Sequence, residues 1–304
     1  MKCLVTGGAG FIGSNLVDRL IKDNHEVIII DDLSTGKEKN INPKAEFMKV
    51  DISDNDDMLS GALKGVDVVF HLAAKARVQP SIENPIEFHN TNVNGTLNLL
   101  KACVDNNVKR FVFSSSSSVY GDVEKLPTPE YHPLDPISPY ALQKLIGEQY
   151  CKLFSELYDI ETVCLRYFNV YGDGMDLTST YKLVIPIFTE QIQNGKPMTI
   201  RGDGEQRRDF THIDDVVEAN ILAGFNSKIP IFKCKGDTFN IGNGDNRSVN
   251  QIADLLGDNK INVEPVIEPI ETLADNSKAF MVLGWKPKLM INDWIQKWKK
   301  EMGI

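Results

Sequence analysis

The first 32 residues constrain the fold of this chain more than any other segment. An apolar run at residues 3–5 leads into the glycine-rich stretch TGGAGFIG at 6–13. A helical pattern follows, and a second apolar run at 27–30 ends in Asp31 and Asp32. The order strand, glycine turn, helix, strand and acid is the layout of a dinucleotide site at the start of a parallel sheet.

Three glycines of this stretch have separate predicted roles. Gly7 lets the chain turn sharply out of the strand, Gly10 lets backbone approach a pyrophosphate, and Gly13 lets the helix pack close to the strand. Asp31 lies 18 residues after Gly13. A carboxylate there accepts hydrogen bonds from a ribose 2′-hydroxyl and repels a 2′-phosphate, so we expect NAD rather than NADP. The alternative, a tight turn without a ligand, does not account for the strand, helix and acid around it.

Composition limits the classes of function. The chain has 304 residues, and its net charge of −9 argues against a broad nucleic-acid surface. Strand residues begin at the N-terminus and no apolar run is as long as a membrane span, so we expect a cytoplasmic protein without a signal peptide. The cysteines lack C-x-x-C spacing and are expected to be reduced and mostly buried. They are Cys3, Cys103, Cys151, Cys164 and Cys234.

Strand-like and helical patterns alternate through the first part of the chain. The predicted strands are 2–6, 26–31, 46–50, 66–72, 110–114 and 161–167, and the main predicted helices are 13–22, 91–106 and 139–158. This alternation predicts an α/β fold with a Rossmann-like, doubly wound parallel sheet. We expect residues 1–170, with returns near 209–223 and 238–242, to form the NAD-binding domain. The remainder of 171–304 would form a smaller, interleaved substrate-binding domain.

A tyrosine and a lysine share one face of the last of these helices. Tyr140 and Lys144 are at positions i and i+4, and Pro139 suits the start of a helix. A phenol is a poor base at neutral pH, and a neighbouring ammonium group lowers its pKa. The serine run 114–118 follows a predicted strand, and Ser116 would place a hydroxyl at the edge where ligands bind. Alone, the tyrosine–lysine spacing more often marks a solvated helix face, the serine run alone also fits a polar turn, and the sequence does not distinguish Ser116 from its neighbours.

Together these motifs resemble the extended short-chain dehydrogenase/reductases, specifically the NAD-dependent nucleotide-sugar epimerases of the UDP-glucose 4-epimerase type. The resemblance covers nearly the whole chain. Its motifs stand at 6–14, 31–36, 51–52, 71–74, 92–96, 114–121, 140–144, 165–172, 208–210, 239–242 and 274–279.

The resemblance implies a role for each matching residue. Tyr140 would be the base and acid, Lys144 its electrostatic partner, and Ser116 the hydroxyl that binds the reacting sugar oxygen. Ser118, Asn169 and Arg208 would bind the sugar nucleotide. The implied cofactor-binding residues are Gly7, Gly10, Phe11, Ile12, Gly13, Asp31, Asp32, Ser34, Thr35, Gly36, Asp51, Ile52, Leu72, Ala73, Ala74, Tyr140, Lys144 and Tyr167.

The serine loop narrows the implied reaction. Related dehydratases and decarboxylases generally carry an acidic residue near its end, and residues 117–120, SSVY, contain none. This favours inversion at C4 of a UDP-sugar (glucose or galactose, with or without an N-acetyl group) through a 4-keto intermediate. The alternatives are a nucleotide-sugar reductase or other net NAD-dependent oxidoreductase, and a binding protein without catalysis.

The sequence departs from the family pattern at two places. The usual Arg-Pro-Gly motif is replaced by PVIEPI at 265–270, which removes an arginine that clamps the diphosphate, unless Arg201 or Arg207 replaces it. Thr272 stands near the family's gatekeeper position, where a small residue leaves space for an N-acetyl group. Alternatively, Thr272 is only a loop residue.

The expected partners are a nucleotide-diphosphate sugar and a second copy of the chain, with no nucleic acid and no membrane. The helices 91–106 and 139–158 carry apolar residues, among them Leu99, Leu145 and Leu153, that would form a four-helix dimer interface. The alternative is that these side chains face only the subunit's own sheet.

Overall fold

A computed structural model describes residues 1–54, 57–175, 183–225, 235–265 and 269–304. Cys234 and residues 266–268 of the altered motif lie outside these ranges. The described strands are β1 (Lys2–Thr6), β2 (Glu26–Asp31), β3 (Glu46–Lys49), β4 (Val68–His71), β5 (Arg110–Ser116), β6 (Glu161–Tyr167), β7 (Asn169–Tyr171), β8 (Met198–Arg201), β9 (Arg207–His212), β10 (Lys235–Ile241), β11 (Asn246–Ser248) and β12 (Lys260–Val263). The described α-helices are α1 (Phe11–Lys22), α2 (Asp57–Ala62), α3 (Val78–Glu83), α4 (Pro85–His89), α5 (Thr96–Asp105), α6 (Pro139–Leu157), α7 (Val184–Gln193), α8 (Ile213–Phe225), α9 (Val249–Leu256), α10 (Ser277–Leu283) and α11 (Ile291–Met302).

Seven strands form a central parallel sheet in the order β10-β6-β5-β4-β1-β2-β3. The strand order reverses between β1 and β4, which opens a crevice at their carboxyl ends. This confirms the predicted Rossmann-like α/β fold. β10 returns the late part of the chain to the edge of this sheet, beside β6.

Apolar cores cover both faces of the sheet. On one face Val5 and Ile29 pack with α1 and α8, whereas on the other Leu4 and Phe113 pack with α5 and α6. Leu99 is fully buried in the second core, so its prediction as a dimer contact is wrong and it faces its own sheet.

The predicted elements are present with small shifts at their ends. β5 continues to Ser116, two residues beyond the predicted end. The predicted helix 91–106 divides into a π-helical segment, Asn90–Gly95, and α5. α6 begins at Pro139 because Ser138 caps it, its Oγ accepting a hydrogen bond from the Ala141 N–H at 3.2 Å.

The later part of the chain builds smaller sheets beside the central one. β11, β9 and β7 form a three-stranded sheet, and β12 pairs with β8. A separate apolar core lies here, in which Tyr171, Trp294 and Trp298 pack together. Among the residues that the structure describes, no helix is both long and apolar enough to cross a membrane.

Candidate active site

The glycine turn, residues 7–13, has no room for side chains at its critical positions. Gly7 has φ +68°, and a Cβ there would lie 2.7 Å from the Ala73 backbone nitrogen. A Cβ on Gly13 would lie 2.1 Å from the Gly7 carbonyl oxygen. Gly10 is the N-cap of α1 and makes no side-chain cap. The turn therefore presents backbone N–H groups at the positive end of a helix, which suits a diphosphate.

Asp31 lies at the end of β2, directly beside the glycine turn. Its carboxylate is 6% exposed and accepts hydrogen bonds from the backbone nitrogens of Ala9 (3.0 Å) and Leu33 (2.9 Å). Burial raises the pKa of Asp31, and the two backbone hydrogen bonds oppose this rise. A carboxylate oxygen accepts more than one hydrogen bond, so Asp31 can brace the turn and still accept from a ribose hydroxyl.

The loop after β2 closes over Asp31. A Cβ on Gly36 would lie 2.6 Å from Asp31 Oδ1, so a larger residue at this position would displace the carboxylate. Asp32 accepts hydrogen bonds from the Ser34 backbone nitrogen and from Ser34 Oγ, while Ser34 and Thr35 are exposed. This loop thus forms one side of the predicted cofactor groove.

The ends of the next strands form the rest of this groove. Leu72 and Ala73 donate backbone hydrogen bonds to the Thr6 carbonyl and to Thr6 Oγ1, each at 3.2 Å, and Ala74 follows them half-buried. His71 is buried between Thr6 Oγ1 (2.7 Å) and Thr96 Oγ1 (2.8 Å). Burial lowers the pKa of His71 to about 3, so this histidine is a neutral structural residue.

Asp51 and Ile52, two of the predicted cofactor-binding residues, lie after β3. Asp51 Oδ1 accepts hydrogen bonds from the Ser53 backbone nitrogen and hydroxyl, both at 2.8 Å. Ile52 is 3% exposed and its side chain fills the space above Gly95. The groups of Ile52 that remain for a ligand are therefore mainly backbone.

Tyr140 and Ser116 meet at the carboxyl end of β5. Tyr140 is half-buried in the first turn of α6, and its side chain hydrogen-bonds with Ser116. Burial raises the pKa of Tyr140, whereas the Ser116 hydrogen bond and the positive charge of Arg77 lower it. The predicted pair is thus brought together, with Ser116 ending a strand rather than lying in a loop.

Lys144 lies one helical turn after Tyr140 and is buried. Its Nζ donates to the Ser114 carbonyl at 2.8 Å and lies 5.9 Å from the centre of the Tyr140 ring. α6 approaches β5 closely because Gly147 leaves space for the Phe113 ring, 2.3 Å from where a Cβ would be. Burial lowers the pKa of Lys144 to about 8. The Lys144 side chain thus lies near the Tyr140 ring, where a positive charge would favour the phenolate.

Two residues that received no role from the sequence lie beside this pair. Arg77 precedes α3 with φ +99°, an uncommon backbone conformation for a residue other than glycine. Asn92 fixes the same segment, since its side chain exchanges hydrogen bonds with the Lys75 backbone (2.8 and 2.9 Å) and donates to Gln143 on α6 (2.9 Å). The positive φ of Arg77 has no sequence signature, whereas Asn92 lies within a recognised motif.

The predicted sugar-nucleotide residues come from separate elements. Ser118 Oγ donates to Ser116 Oγ at 2.9 Å, and Asn169 Nδ2 donates to the Asp209 carbonyl at 3.4 Å. Arg208 Nη1 donates to the Arg207 carbonyl at 2.8 Å. Tyr167 ends β6 beside Ser116, but its side chain is buried.

The hydroxyl of Tyr167 is enclosed by the protein itself. It accepts from Ser114 Oγ at 3.1 Å and donates to Asn220 Oδ1 at 2.9 Å. Tyr167, a predicted cofactor-binding residue, therefore offers a ligand its backbone rather than its hydroxyl.

The residues considered as replacements for the missing arginine differ in their surroundings. Arg207 Nε donates to Asn246 Oδ1 at 2.7 Å and lies 3.9 Å from the Glu271 carboxylate, whereas Arg201 is exposed at the end of β8. Thr272 Oγ1 accepts from the Asp209 backbone nitrogen at 3.2 Å, so its side chain turns toward β9.

Comparison with known proteins agrees with this geometry. Residues 3–242 match the model of the NAD dependent epimerase/dehydratase family. The chain belongs to this family.

Relatives of the epimerase/dehydratase family match nearly the full length of this chain. A UDP-glucose 4-epimerase of Mycolicibacterium smegmatis is 38% identical over 312 residues, covering 98% of this chain and 97% of the relative. The solved UDP-glucose 4-epimerase of Thermotoga maritima, with UDP-glucose, has a TM-score of 0.91 and 38% identity, covering 99% of this chain and 100% of that one. A UDP-N-acetylglucosamine 4-epimerase of Methanobrevibacter ruminantium, in complex with UDP-N-acetylmuramic acid, has a TM-score of 0.90 and 37% identity and covers 99% and 98% of the two chains.

Membership of this family identifies the cofactor as NAD, and the residues present fit it. A Cβ on Gly10, at the N-terminus of α1, would meet only the Gly7 carbonyl oxygen, at 3.2 Å, so the space beside this turn is open to a diphosphate. Asp31 supplies the carboxylate that a ribose requires, and Tyr140 lies at the same carboxyl edge of the sheet.

Proposed function

We propose that this chain is an NAD-dependent UDP-sugar 4-epimerase. The observation that carries the proposal is the meeting of Ser116, Tyr140 and Lys144 at the carboxyl end of β5, in a chain of this family. NAD, when bound, accepts a hydride from the sugar and later returns it. Because the hydride is returned, the reaction needs no second redox substrate.

The protein side chains handle the proton and the orientation of the sugar. Tyr140, as phenolate, takes the proton from the sugar C4 hydroxyl, which Ser116 orients by a hydrogen bond. Lys144 stabilises the phenolate through its positive charge. When the 4-keto sugar has turned over in the site, the Tyr140 hydroxyl gives the proton back to the C4 oxygen on the other face.

The sugar nucleotide would lie along β9 and along residues 114–120, which we call the serine segment. Arg208 provides a planar, permanently charged donor for the diphosphate, and Asn169 and Ser118 provide hydrogen bonds to the sugar nucleotide. Thr272 is small and its hydroxyl is held at β9, which supports space for a substituent at C2. We therefore propose UDP-glucose, UDP-galactose and their N-acetylated counterparts as substrates.

The function is tested by incubating the purified protein with each of these four UDP-sugars. We expect C4 epimers by chromatography and no net change in absorbance at 340 nm. Steady accumulation or consumption of NADH would instead indicate a net oxidoreductase, and no epimer from any of the four sugars would refute the proposal.

Tyr140→Phe tests the assigned base. We expect turnover to fall by about 10²- to 10⁴-fold, the usual contribution of general acid–base catalysis, while NAD stays bound. Tyr150→Phe removes a hydroxyl from the same helix and is expected to keep turnover near wild type. Near-normal turnover in Tyr140→Phe would remove this residue from its assigned role.

The α6 surface supports a homodimer. Leu142, Leu153 and Leu157 are 48%, 44% and 63% exposed, and their spacing places them on one side of the helix. Such an apolar stripe is typical of an interaction surface. Light scattering should give twice the 34.0 kDa mass of the chain.

The four described cysteines are buried free thiols, which supports the proposed cytoplasmic location.

A further inference from the structure

A buried ion pair lies directly behind the serine segment of the active site. Arg166 on β6 binds Glu148 on α6 through two parallel hydrogen bonds, Nε to Oε1 at 2.8 Å and Nη2 to Oε2 at 2.7 Å. Both side chains are only 4% exposed. A buried pair of this kind contributes little net stability over apolar packing, because both charges lose their hydration.

Glu148 connects this pair to the end of β5. Ser115 Oγ donates to Glu148 Oε1 at 2.5 Å. The two neighbouring serines make the contacts on which the proposed chemistry depends. Ser114 accepts from Lys144 Nζ, and Ser116 hydrogen-bonds with Tyr140. The Ser115 bond therefore fixes the backbone between these two contacts.

The spacing of residues on α6 links the Ser115–Glu148 hydrogen bond to the position of Tyr140 and Lys144. Tyr140, Lys144 and Glu148 are at i, i+4 and i+8, so they lie along one face of the helix. Tyr140 and Lys144 contact residues 116 and 114 of β5, and Glu148 contacts the residue between them. Three consecutive serines of β5 thus contact side chains from three consecutive turns of α6.

The other end of the ion pair is anchored from the opposite side. Arg166 Nη1 donates to the Tyr120 hydroxyl at 2.8 Å, and its guanidinium lies 4.7 Å from the centre of the Tyr120 ring. The Tyr120 hydroxyl donates to Asn240 Oδ1 on β10 at 2.7 Å. Arg166 is also the register partner of Ser115 in the sheet. The network therefore ties both ends of the serine segment, residues 114–120, to the sheet.

We propose that the Glu148–Arg166 pair, acting through Ser115, is a positioning unit that holds Ser116, Tyr140 and Lys144 in catalytic register. This inference rests on the proposed function, because it assigns the chemistry to those three residues. Glu148 and Arg166 would not touch the substrate. They set the distance between β5 and α6, whose residues Ser116 and Tyr140 would contact it. Small displacements of reacting groups reduce rates far more than they reduce binding.

Ser115→Ala is the sharpest test, because it removes one hydroxyl and leaves the ion pair in place. We expect kcat to fall about tenfold or more, the cost of slight misplacement, with KM and bound NAD near wild type. Ser115→Thr restores a hydroxyl and should recover most of kcat. Ser155→Ala is the matched control, since Ser155 is also buried on α6 and hydrogen-bonds with Ile160 and Thr162, away from the site.

Glu148→Gln tests the ion pair itself. It keeps an oxygen for Ser115 but removes the negative charge that neutralises the buried guanidinium. We expect a larger loss of kcat than in Ser115→Ala. A change in kcat within twofold for both variants would overturn the proposal, as would a loss in Ser115→Ala that Ser155→Ala reproduces.

A second measurement does not depend on epimerase activity. The ionisation of Tyr140 can be followed by tyrosinate absorbance, as a difference from the same protein carrying Tyr140→Phe. The charge of Arg77 acts on this hydroxyl and Lys144 Nζ lies 5.9 Å from the centre of the ring, and Ser115→Ala removes neither group. We expect the pKa of Tyr140 to rise in Ser115→Ala, because its hydrogen bond with Ser116 is loosened.

The two measurements separate failure of the positioning role from failure of the proposed function. An inactive wild type would refute the epimerase, and the titration would then judge the positioning role alone. An unchanged Tyr140 titration would overturn that role whatever the activity.

Discussion

The two ends of the proposed ligand cleft are built in opposite ways. At the nucleotide end, the glycine turn brings backbone against backbone, with Gly7 against Ala73 and Gly13 against Gly7. At the sugar end, a single side chain gathers distant loops. Asp209 on β9 is fully buried and accepts hydrogen bonds from the backbone nitrogens of Asn243 (2.6 Å), Gly244 (2.9 Å) and Ala274 (3.0 Å).

This difference explains how each end tolerates change. Backbone packing in the glycine turn leaves no room for an added atom, so the nucleotide end is sensitive to size. The sugar end is held by hydrogen bonds of the Asp209 carboxylate and of Arg207, so it is sensitive to charge and hydrogen bonding instead. The first end suits an invariant cofactor, whereas the second allows the substrate to vary between relatives.

The largest expected effect is at the nucleotide end. Gly13→Ala places a methyl group 2.1 Å from the Gly7 carbonyl oxygen. We expect a loss of about 3 kcal/mol in the free energy of unfolding, as for severe overpacking, together with loss of bound NAD. Chemical denaturation and the absorbance of released nucleotide measure the two effects.

Gly61→Ala, in α2, is the matched control, because a Cβ on Gly61 would have no neighbouring atom within 4 Å. It should be neutral or slightly stabilising, since alanine favours a helix. Equal behaviour of the two variants would break the distinction between the ends.

The next effect concerns pH at the sugar end. Burial raises the pKa of Asp209 to about 6, from an ordinary value of 3.8. The folded state therefore binds this proton more tightly than the unfolded state between those two values. From this group alone, stability falls as pH rises from about 4 to 6 and stays lower above 6, by up to about 3 kcal/mol.

Asp209→Asn should abolish that contribution. We expect the substitution to cost more stability at pH 4 than at pH 7.5, and denaturation of both proteins at the two pH values measures the difference. An equal cost at both pH values would show that the carboxylate ionises normally.

The smallest effect separates the arginines of the sugar end. Arg208→Ala should raise KM for a UDP-sugar about tenfold to a hundredfold, as expected when one charge-assisted contact to a diphosphate is lost. Tyr140 and bound NAD are untouched, so kcat should change much less. Arg201→Ala removes a charge from β8 and should leave KM nearly constant. An equal rise in both variants would identify Arg201 as a second diphosphate ligand.

Sequence patterns predicted the local fold of the nucleotide end almost completely. The glycine spacing, β2 and Asp31 are local features, and the structure has β1 and β2 at their predicted bounds. Ser138 and Pro139 likewise start α6 by local capping, so Tyr140 and Lys144 share a face as expected. Each of these depends on residues close together in the chain.

Patterns failed where a side chain had two possible partners. Leu99 has the apolar character of an interface residue, but it is buried in its own core. Glu148 and Arg166 look like two surface charges in sequence, and only the packing of α6 on β6 buries them as a pair. The hydroxyl of Tyr167 turns toward Asn220 for the same reason, because the neighbouring helix supplies its partner.

The sequence by itself determined the parallel sheet, the glycine turn and the tyrosine–lysine helix, because each follows from spacing over a few residues. Only the tertiary structure decided that Ser115, Glu148 and Arg166 form one network and that Asp209 gathers loops 34 to 65 residues away. Such contacts depend on which elements become neighbours in the sheet. That choice arises from burial of the whole core and not from any local pattern.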